Sequence, residues 1–474
     1  MIWSIAWKNI WRNKKRSLVV IIAVALGIIA GVFIIGFVEG WSKQRLDDAV
    51  YNEVSHIQIH NNEYLKNEET SLMINDPGRI AGILDTMAEV KSHVVRTKII
   101  ALAGTSWANT GVIIYGVDPD MEKQVTRIHE KIVSGGGRYP DAGSSGDILI
   151  SDKTAELLKI KQYSVTDSVI EKLRTEEVPA PVLEKLEVMK DTRFRSPGDF
   201  REALGRELTR KEYEEFGNTI SSQALDYRLR NKIQITISDR EGNPIHAIFR
   251  VCGIYKTTNT GFDQMAVFVN ARELVKLYGD EDILVHEVAI LLNNIDDAGK
   301  VRDRLIPLAS GNSVRTWKEL APDAALMNDF MVIYYFIFIG IIMLALAFGI
   351  INTMLMSVLE RTKELGMLMA IGMNRRRVFT MIMLETVFLT CVGAAAGILL
   401  GWAVTGTLGR TGIHMAGWGE GFEAIGFAAT VYPIVTPGFI ALTAVMVIVT
   451  AILSSLWPAR KALKLVPVEA LRTD

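Results

Sequence analysis

Four stretches of the chain, residues 18–38, 331–359, 386–409 and 433–457, carry no charged residue. The first two are 21 and 29 residues long. A helix rises about 1.5 Å per residue and the apolar core of a bilayer is roughly 30 Å thick, so each stretch can cross. Between the first two lies a long polar segment in which the period keeps changing. VSHIQIH (54–60) alternates as a strand, with His56 and His60 on one face, read as solvent-facing. Further strands are predicted over 94–103, 110–117, 148–151, 232–238, 245–254, 265–269 and 288–292. Helices are predicted over 76–92, 152–160, 270–278 and 297–308. Residues 132–147 read as a long glycine-rich loop. Residues 162–230 switch to charged helical spacing and read as an insertion of several solvated helices. The helices of spans one and two are expected to continue outward as stalks over 39–52 and 313–329. The pattern as a whole predicts an α-helical membrane protein with four transmembrane helices and a large α+β domain inserted between helices 1 and 2.

Charge then orients it. Basic residues cluster before the first span (Lys8, Arg12, Lys14, Lys15, Arg16), between the second and third (Arg361, Lys363, Arg375, Arg376, Arg377) and after the fourth (Arg460, Lys461, Lys464, Arg472). In a four-span chain these three sites share one side, and basic flanks stay in the cytoplasm. Both termini and the hairpin are therefore expected inside, and the large domain outside. The divisions expected are an amphipathic interfacial helix (1–16), a first span (17–40), the outer domain (41–329, with the insertion at 162–230) and a second span (330–359). A cytoplasmic hairpin (360–377), third span (378–405), short outer loop (406–432), fourth span (433–457) and cytoplasmic tail (458–474) complete it. The N-terminal basic-then-apolar run is read as an uncleaved signal anchor. Residues 41–325 hold 37 Lys and Arg against 44 Asp and Glu, a mild acidity that gives no sign of a nucleic-acid partner.

Chemistry-bearing motifs are few. Cys252 and Cys391 make no disulfide framework and lack metal-ligand spacing. The glycines at 135–137 are not followed by the lysine of a phosphate loop, His286-Glu287 lacks the second histidine of H-E-x-x-H, and G-x-S-x-G does not occur. An enzyme is not expected. The N-terminal MIWSIAWKNIWRNKKR places Trp3, Trp7, Ile10 and Trp11 at helical spacing, so Trp3, Trp7 and Trp11 are candidate anchors at headgroup depth. In the hairpin, Glu360, Arg361, Lys363 and Glu364 make a charged start. Leu365, Leu368, Met369 and Ile371 form an apolar face suited to a groove, and Gly366 and Gly372 permit close approach or a turn. Arg375, Arg376 and Arg377 can anchor at anionic headgroups. Glu385, about two turns into the third span, is expected to reach water or a hairpin arginine.

Three segments, AWKNIWRNKKRSLVVIIAVALGI, SVLERTKELGMLMAIGMNRRRVFTMIMLE (357–385) and PARKALKLVPVEALR (458–472), resemble the FtsX-like permease family of ABC transporters in order and in placement beside the spans. The outer segment resembles that family's MacB-type periplasmic core domain in GVD, ILIS, FRVCGIYKT, FVNARELVKLY and VRTWKEL. The resemblance covers nearly all the chain except 162–230 and is greatest to permeases of the lipoprotein-releasing system. It implies a permease in the bacterial inner membrane that works by mechanotransmission, as a homodimer or a heterodimer with a paralogous permease, on a cytoplasmic ABC ATPase. Glu360, Arg361, Lys363, Glu364, Leu365, Leu368 and Ile371 would couple to that ATPase. No cofactor is implied on this chain, ATP-Mg lying on the partner. Membrane lipid, lipoproteins or similar amphiphiles and a periplasmic carrier are the other partners it implies. The alternative it allows is a signalling permease that activates periplasmic cell-wall hydrolases or senses peptide antibiotics.

Overall fold

The computed structural model describes residues 2–12, 14–176, 178–239, 242–279, 284–309, 311–415, 421–422 and 428–463. Lys464 and Arg472, with the end of the C-terminal motif and much of the loop before the fourth span, lie outside them. The chain divides into two units. One comprises Met1–Gln44, Leu326–Glu420 and Ala428–Asp474; the other comprises Arg45–Ala325 and Gly421–Phe427.

The first unit holds six helices among its described residues: α1 (Ile2–Arg12), α2 (Lys14–Asp48), α3 (Pro322–Glu360), α4 (Thr362–Ala370), α5 (Arg375–Thr411) and α6 (Pro437–Leu463), with α2 and α3 running on past its limits. Four of these, α2, α3, α5 and α6, are long and apolar enough to cross a membrane. Lipid offers no hydrophobic drive between helices, so association rests on close packing. That packing centres on α5, where Gly393, Gly397 and Gly401 recur every fourth residue on the side facing α2. A Cβ there would lie 2.9 Å from Val24 Cβ, 2.8 Å from the Ala25 carbonyl oxygen and 3.1 Å from Val32 Cβ respectively. The helices approach closely because no side chain stands between them.

The second unit is built on β1 (Ile57–Asn61), β2 (Val90–Gly104), β3 (Asn109–Val117), β4 (Ile132–Gly137), β5 (Asp147–Ser151), β6 (Lys161–Ser164), β7 (Arg193–Phe194), β8 (Leu225–Tyr227), β9 (Lys232–Ser238), β10 (Pro244–Tyr255), β11 (Ala266–Asn270), β12 (Glu287–Leu292) and β13 (Asn312–Thr316). β2 is long enough to serve two sheets. Its first half pairs with β12, in a sheet ordered β13-β1-β12-β2. Its second half pairs with β3 and β9. From there β3-β11-β5-β10-β9 returns to β2, so six strands close on themselves. Ile114, Ile148, Ile233, Ile235, Val251 and Val267 fill the apolar core of this ring.

The predicted strands are present, with four corrections. His56 and His60 are buried, not solvent-facing, because β1 is covered on both faces. The glycine-rich 132–147 segment contains β4, paired to β10. The helix expected over 76–92 stops at Asp85, and β2 begins at Val90. The second stalk is shorter than expected, since β13 and the separate short helix Trp317–Leu320 occupy its start. The insertion also differs from a set of solvated helices. Its four helices (Asp167–Thr175, Ala180–Glu187, Pro197–Glu207, Arg210–Ala224) enclose a core of their own around Leu173, Leu186, Phe200, Leu204 and Ile220, beside a small sheet β7-β6-β8.

Candidate coupling site

The hairpin between α3 and α5 is a single short helix with defined ends. α3 stops at Glu360, α4 follows, and Gly372 takes φ +100°, a conformation open to glycine at little cost. Asn374 then caps α5, its side chain accepting from the Arg376 amide at 3.0 Å. With 3.6 residues per turn, α4 has two faces. Leu365, at 2% exposure, and Gly366 are buried, and Leu368 and Met369 pack on the apolar core formed by Val358, Val378, Met381 and Ile382. Glu360, Lys363, Glu364, Met367 (54%) and Ile371 (79%) face out. The apolar face expected from sequence is thus divided. Leu365 and Leu368 hold α4 onto its own bundle, and the exposed apolar pair is Met367 and Ile371.

A chain of alternating charges runs through the same place. Arg361 Nη1 donates to both oxygens of Glu385, at 3.2 and 3.0 Å, and its Nε donates to Glu364 at 3.0 Å. Glu385 is buried in α5, and Arg361 is the hairpin arginine it reaches. Glu364 accepts in turn from Arg12 of α1. The hydrogen bond from Arg12, reinforced by Arg361, holds the Glu364 carboxyl below its ordinary range. α1 itself presents Ala6 and Ile10 inward, and Ser17 Oγ donates to the Ile10 carbonyl at 2.6 Å. Trp3, Trp7 and Trp11 face outward, with Trp3 and Trp7 each edge-on to Phe388 at 5.7 Å. Ile10 therefore leaves the tryptophan stripe on which the sequence placed it. Arg375, Arg376 and Arg377 are all exposed.

A second charged cluster, which sequence reasoning missed, lies in the other unit where β2 passes between its two sheets. Arg96 is wholly buried. It donates to Glu122 at 3.0 and 2.7 Å and to Glu287, its cross-strand partner on β12. Lys98 reaches Glu287 at 3.2 Å, and His60 lies 3.8 Å from it, stacked on Tyr64. Burial would raise the Glu287 carboxyl, but Lys98 and Arg96 outweigh it and hold the group at about 2. Burial lowers His60 to about 4, so it is neutral near pH 7. The signal available in the sequence was two cations, Arg96 and Lys98, in the middle of an apolar alternation. Among the described residues no group of His, Cys, Asp and Glu is arranged to hold a metal ion.

Residues 336–467 match the family model described as the FtsX-like permease C-terminal domain. Over 126 residues, 27% of this chain and 16% of the relative, the chain is 39% identical to the macrolide export ATP-binding/permease protein MacB of Chlorobium luteolum. The MacB of Escherichia coli is 35% identical over 126 residues, 27% of this chain and 17% of that protein. The uncharacterized ABC transporter permease YknZ of Bacillus subtilis is 27% identical over 242 residues, 49% of this chain and 55% of the relative. The chain thus spans about half of the YknZ length and about a sixth of these two MacB proteins. Among solved structures, the extracellular domain of YknZ covers 55% of this chain and 98% of its own, at 13% identity and a TM-score of 0.29. The periplasmic region of MacB from Actinobacillus actinomycetemcomitans covers 58% and 94%, at 8% identity and the same TM-score.

Proposed function

We propose, from the premise that this chain belongs to the FtsX/MacB-type ABC transporter permeases, that it is the non-catalytic membrane subunit of a transporter driven by a separate cytoplasmic ATPase. The observation that carries this is α4, a helix clamped between two spanning helices with one face buried in its own bundle and the other presenting Met367 and Ile371 to solvent. A loop that served only to fix topology would have no need of an exposed apolar pair between flanking charges. An ATPase groove closing on ATP and opening on hydrolysis can move such a helix, and α3 and α5 carry the motion away from the membrane surface. The interaction surface proposed is Glu360, Lys363, Met367 and Ile371; Leu365 and Leu368 support it from beneath. Trp3, Trp7 and Trp11, with Arg375, Arg376 and Arg377, are proposed to meet the headgroups, since aromatic and basic side chains favour that depth.

In this arrangement the hairpin and both termini face the cytoplasm, and the α+β unit handles substrate outside. The substrate class proposed is a lipoprotein or similar amphiphile taken from the outer side of the membrane, by a permease dimer working with a periplasmic carrier. The test is purification of the chain from native membranes in mild detergent, with identification of the ATPase and lipid-modified proteins that accompany it. Wild-type chain is expected to bring down an ABC ATPase, and Ile371→Asp with Met367→Asp to lose it. Recovery of the ATPase unchanged by that double substitution would overturn the docking surface. Cell-wall hydrolases recovered in place of lipoproteins would overturn the transport reading in favour of signalling.

A further inference from the structure

The charge chain that ends on Arg12 is not explained by docking of an ATPase. Glu364 stands on the outer face of α4 but is already engaged twice, by Arg361 beneath it and by Arg12 from α1. Arg361 is in turn fixed by Glu385, which is buried in α5. The order Arg12, Glu364, Arg361, Glu385 alternates in sign from the surface to the interior of the bundle. An isolated exposed ion pair orients little, because solvent screens it and two long side chains must be ordered to make it. Here the outer pair is built on an inner one, so half of the ordering is already imposed by packing. α1 meets the bundle through a second contact of different chemistry, with Ala6 and Ile10 buried and Trp3 and Trp7 against Phe388 of α5.

We propose that Arg12 and Glu364 form a positioning joint that makes α1 and the hairpin helix α4 move as one body. Arg12 is then a positioning residue and not part of the surface offered to another protein. This rests on the reading of α4 as a coupling helix, and it adds a route to that reading. Motion imposed on α4 passes sideways into α1, whose tryptophans remain largely exposed, Trp3 and Trp7 with one edge on Phe388, and so into the membrane surface and the start of α2. Glu364, which the family resemblance groups with the ATPase contacts, is assigned instead to holding the chain's own N-terminal helix.

The experiment is a distance measurement by pulsed electron paramagnetic resonance on the full chain in phosphatidylethanolamine–phosphatidylglycerol vesicles. Nitroxides are placed at Ser4→Cys on α1 and Ala370→Cys on α4, in a background of Cys252→Ser and Cys391→Ser. With Arg12 present, a single narrow distance is expected. Arg12→Glu and Glu364→Gln are each expected to shift and broaden it, and Arg12→Lys to restore most of the narrow component. Lys8→Glu, on the same helix but outside the ion chain, is expected to leave it unchanged. A distribution in Arg12→Glu that matches wild type overturns the joint. So does an equal response to Lys8→Glu, which would trace the effect to general attraction of α1 to the anionic surface. ATPase recovery is measured on the same proteins, and Arg12→Glu is expected to retain it. Failure of wild type to recover an ATPase would remove the coupling reading while leaving the distance result to decide the joint.

Discussion

Arg96 is a wholly buried cation whose placement depends on its partners. It is enclosed between two carboxylates, and replacing it with methionine leaves buried Glu122 without its guanidinium partner and buried Glu287 with Lys98 alone. Breaking a buried pair by removing one partner costs about 3–5 kcal/mol, so Arg96→Met is expected to lower the melting temperature of the outer unit sharply in a thermal scan. Exchanging Arg96, Lys98, Glu122 and Glu287 together for apolar residues of similar volume should cost far less. The same cluster predicts acid sensitivity with a definite sign. Glu287 is held at about 2, below its unfolded value, so the stability it contributes is complete above about pH 4.5 and disappears as the pH falls toward 2. His60 is lowered to about 4, so protonation of the unfolded chain begins to oppose folding once the pH drops below about 6.5. Unfolding free energy measured against pH should therefore decline from near neutrality and steepen below about pH 4.5, and Glu287→Gln should flatten the lower part of the curve. Little of this was legible in the sequence. His56, His60, Arg96 and Lys98 sit in locally correct strand patterns, but what covers them comes from β12, some two hundred residues further on, and no local period reports that. Leu365 and Ile371 teach the same lesson in the hairpin. Their apolar character was plain, but which of them turned inward depended on Val378 and Met381 across the turn.

Among the elements, the spanning helices were legible because bilayer length and absence of charge are properties of the local sequence alone. Their mutual packing was not read, although glycines at three successive four-residue steps in α5 were in view. Gly397→Leu is expected to force α5 from α2, since the new side chain would begin within 3 Å of the Ala25 carbonyl oxygen and Ile28 Cβ. The measurable result is reduced yield of folded protein in detergent and an earlier thermal transition, with Gly406→Leu, where no neighbour lies within 4 Å, as the tolerant control. The insertion shows the opposite balance. Its helices were read from charge and spacing, but its core was overlooked and its sheet went unseen, because strands of two to four residues are too short to display a period. Phe200 is fully buried there and stacks on Tyr163 at 5.2 Å. Phe200→Ala should cost about 3–5 kcal/mol. Limited proteolysis should then cut first within 162–230, leaving the six-stranded ring intact.

At the scale of the whole molecule, the positive-inside argument is a statement about sides. A cysteine at Ala370 and one at Val188, both exposed positions, are expected to react with an impermeant maleimide from opposite faces of the membrane. Labelling of both from the same face would refute the four-span topology. The general architecture, four spans with a mixed α+β insert, followed from hydropathy and from changes of period. Closure of the outer strands into a ring did not, because it depends on β9, the hairpin neighbour of β10, also pairing with β2 far earlier in the sequence.

That closure decides where new sequence can be accommodated. The segment 162–230 leaves the ring after β5 and returns at β9. β5 is already held between β10 and β11, and β9 between β10 and β2. Neither strand relies on the intervening segment for its register, and lengthening a connection whose ends are pinned costs only a slowly growing loop entropy. The insertion point is therefore a natural graft site, where an unrelated compact module could replace the present one and the ring still fold.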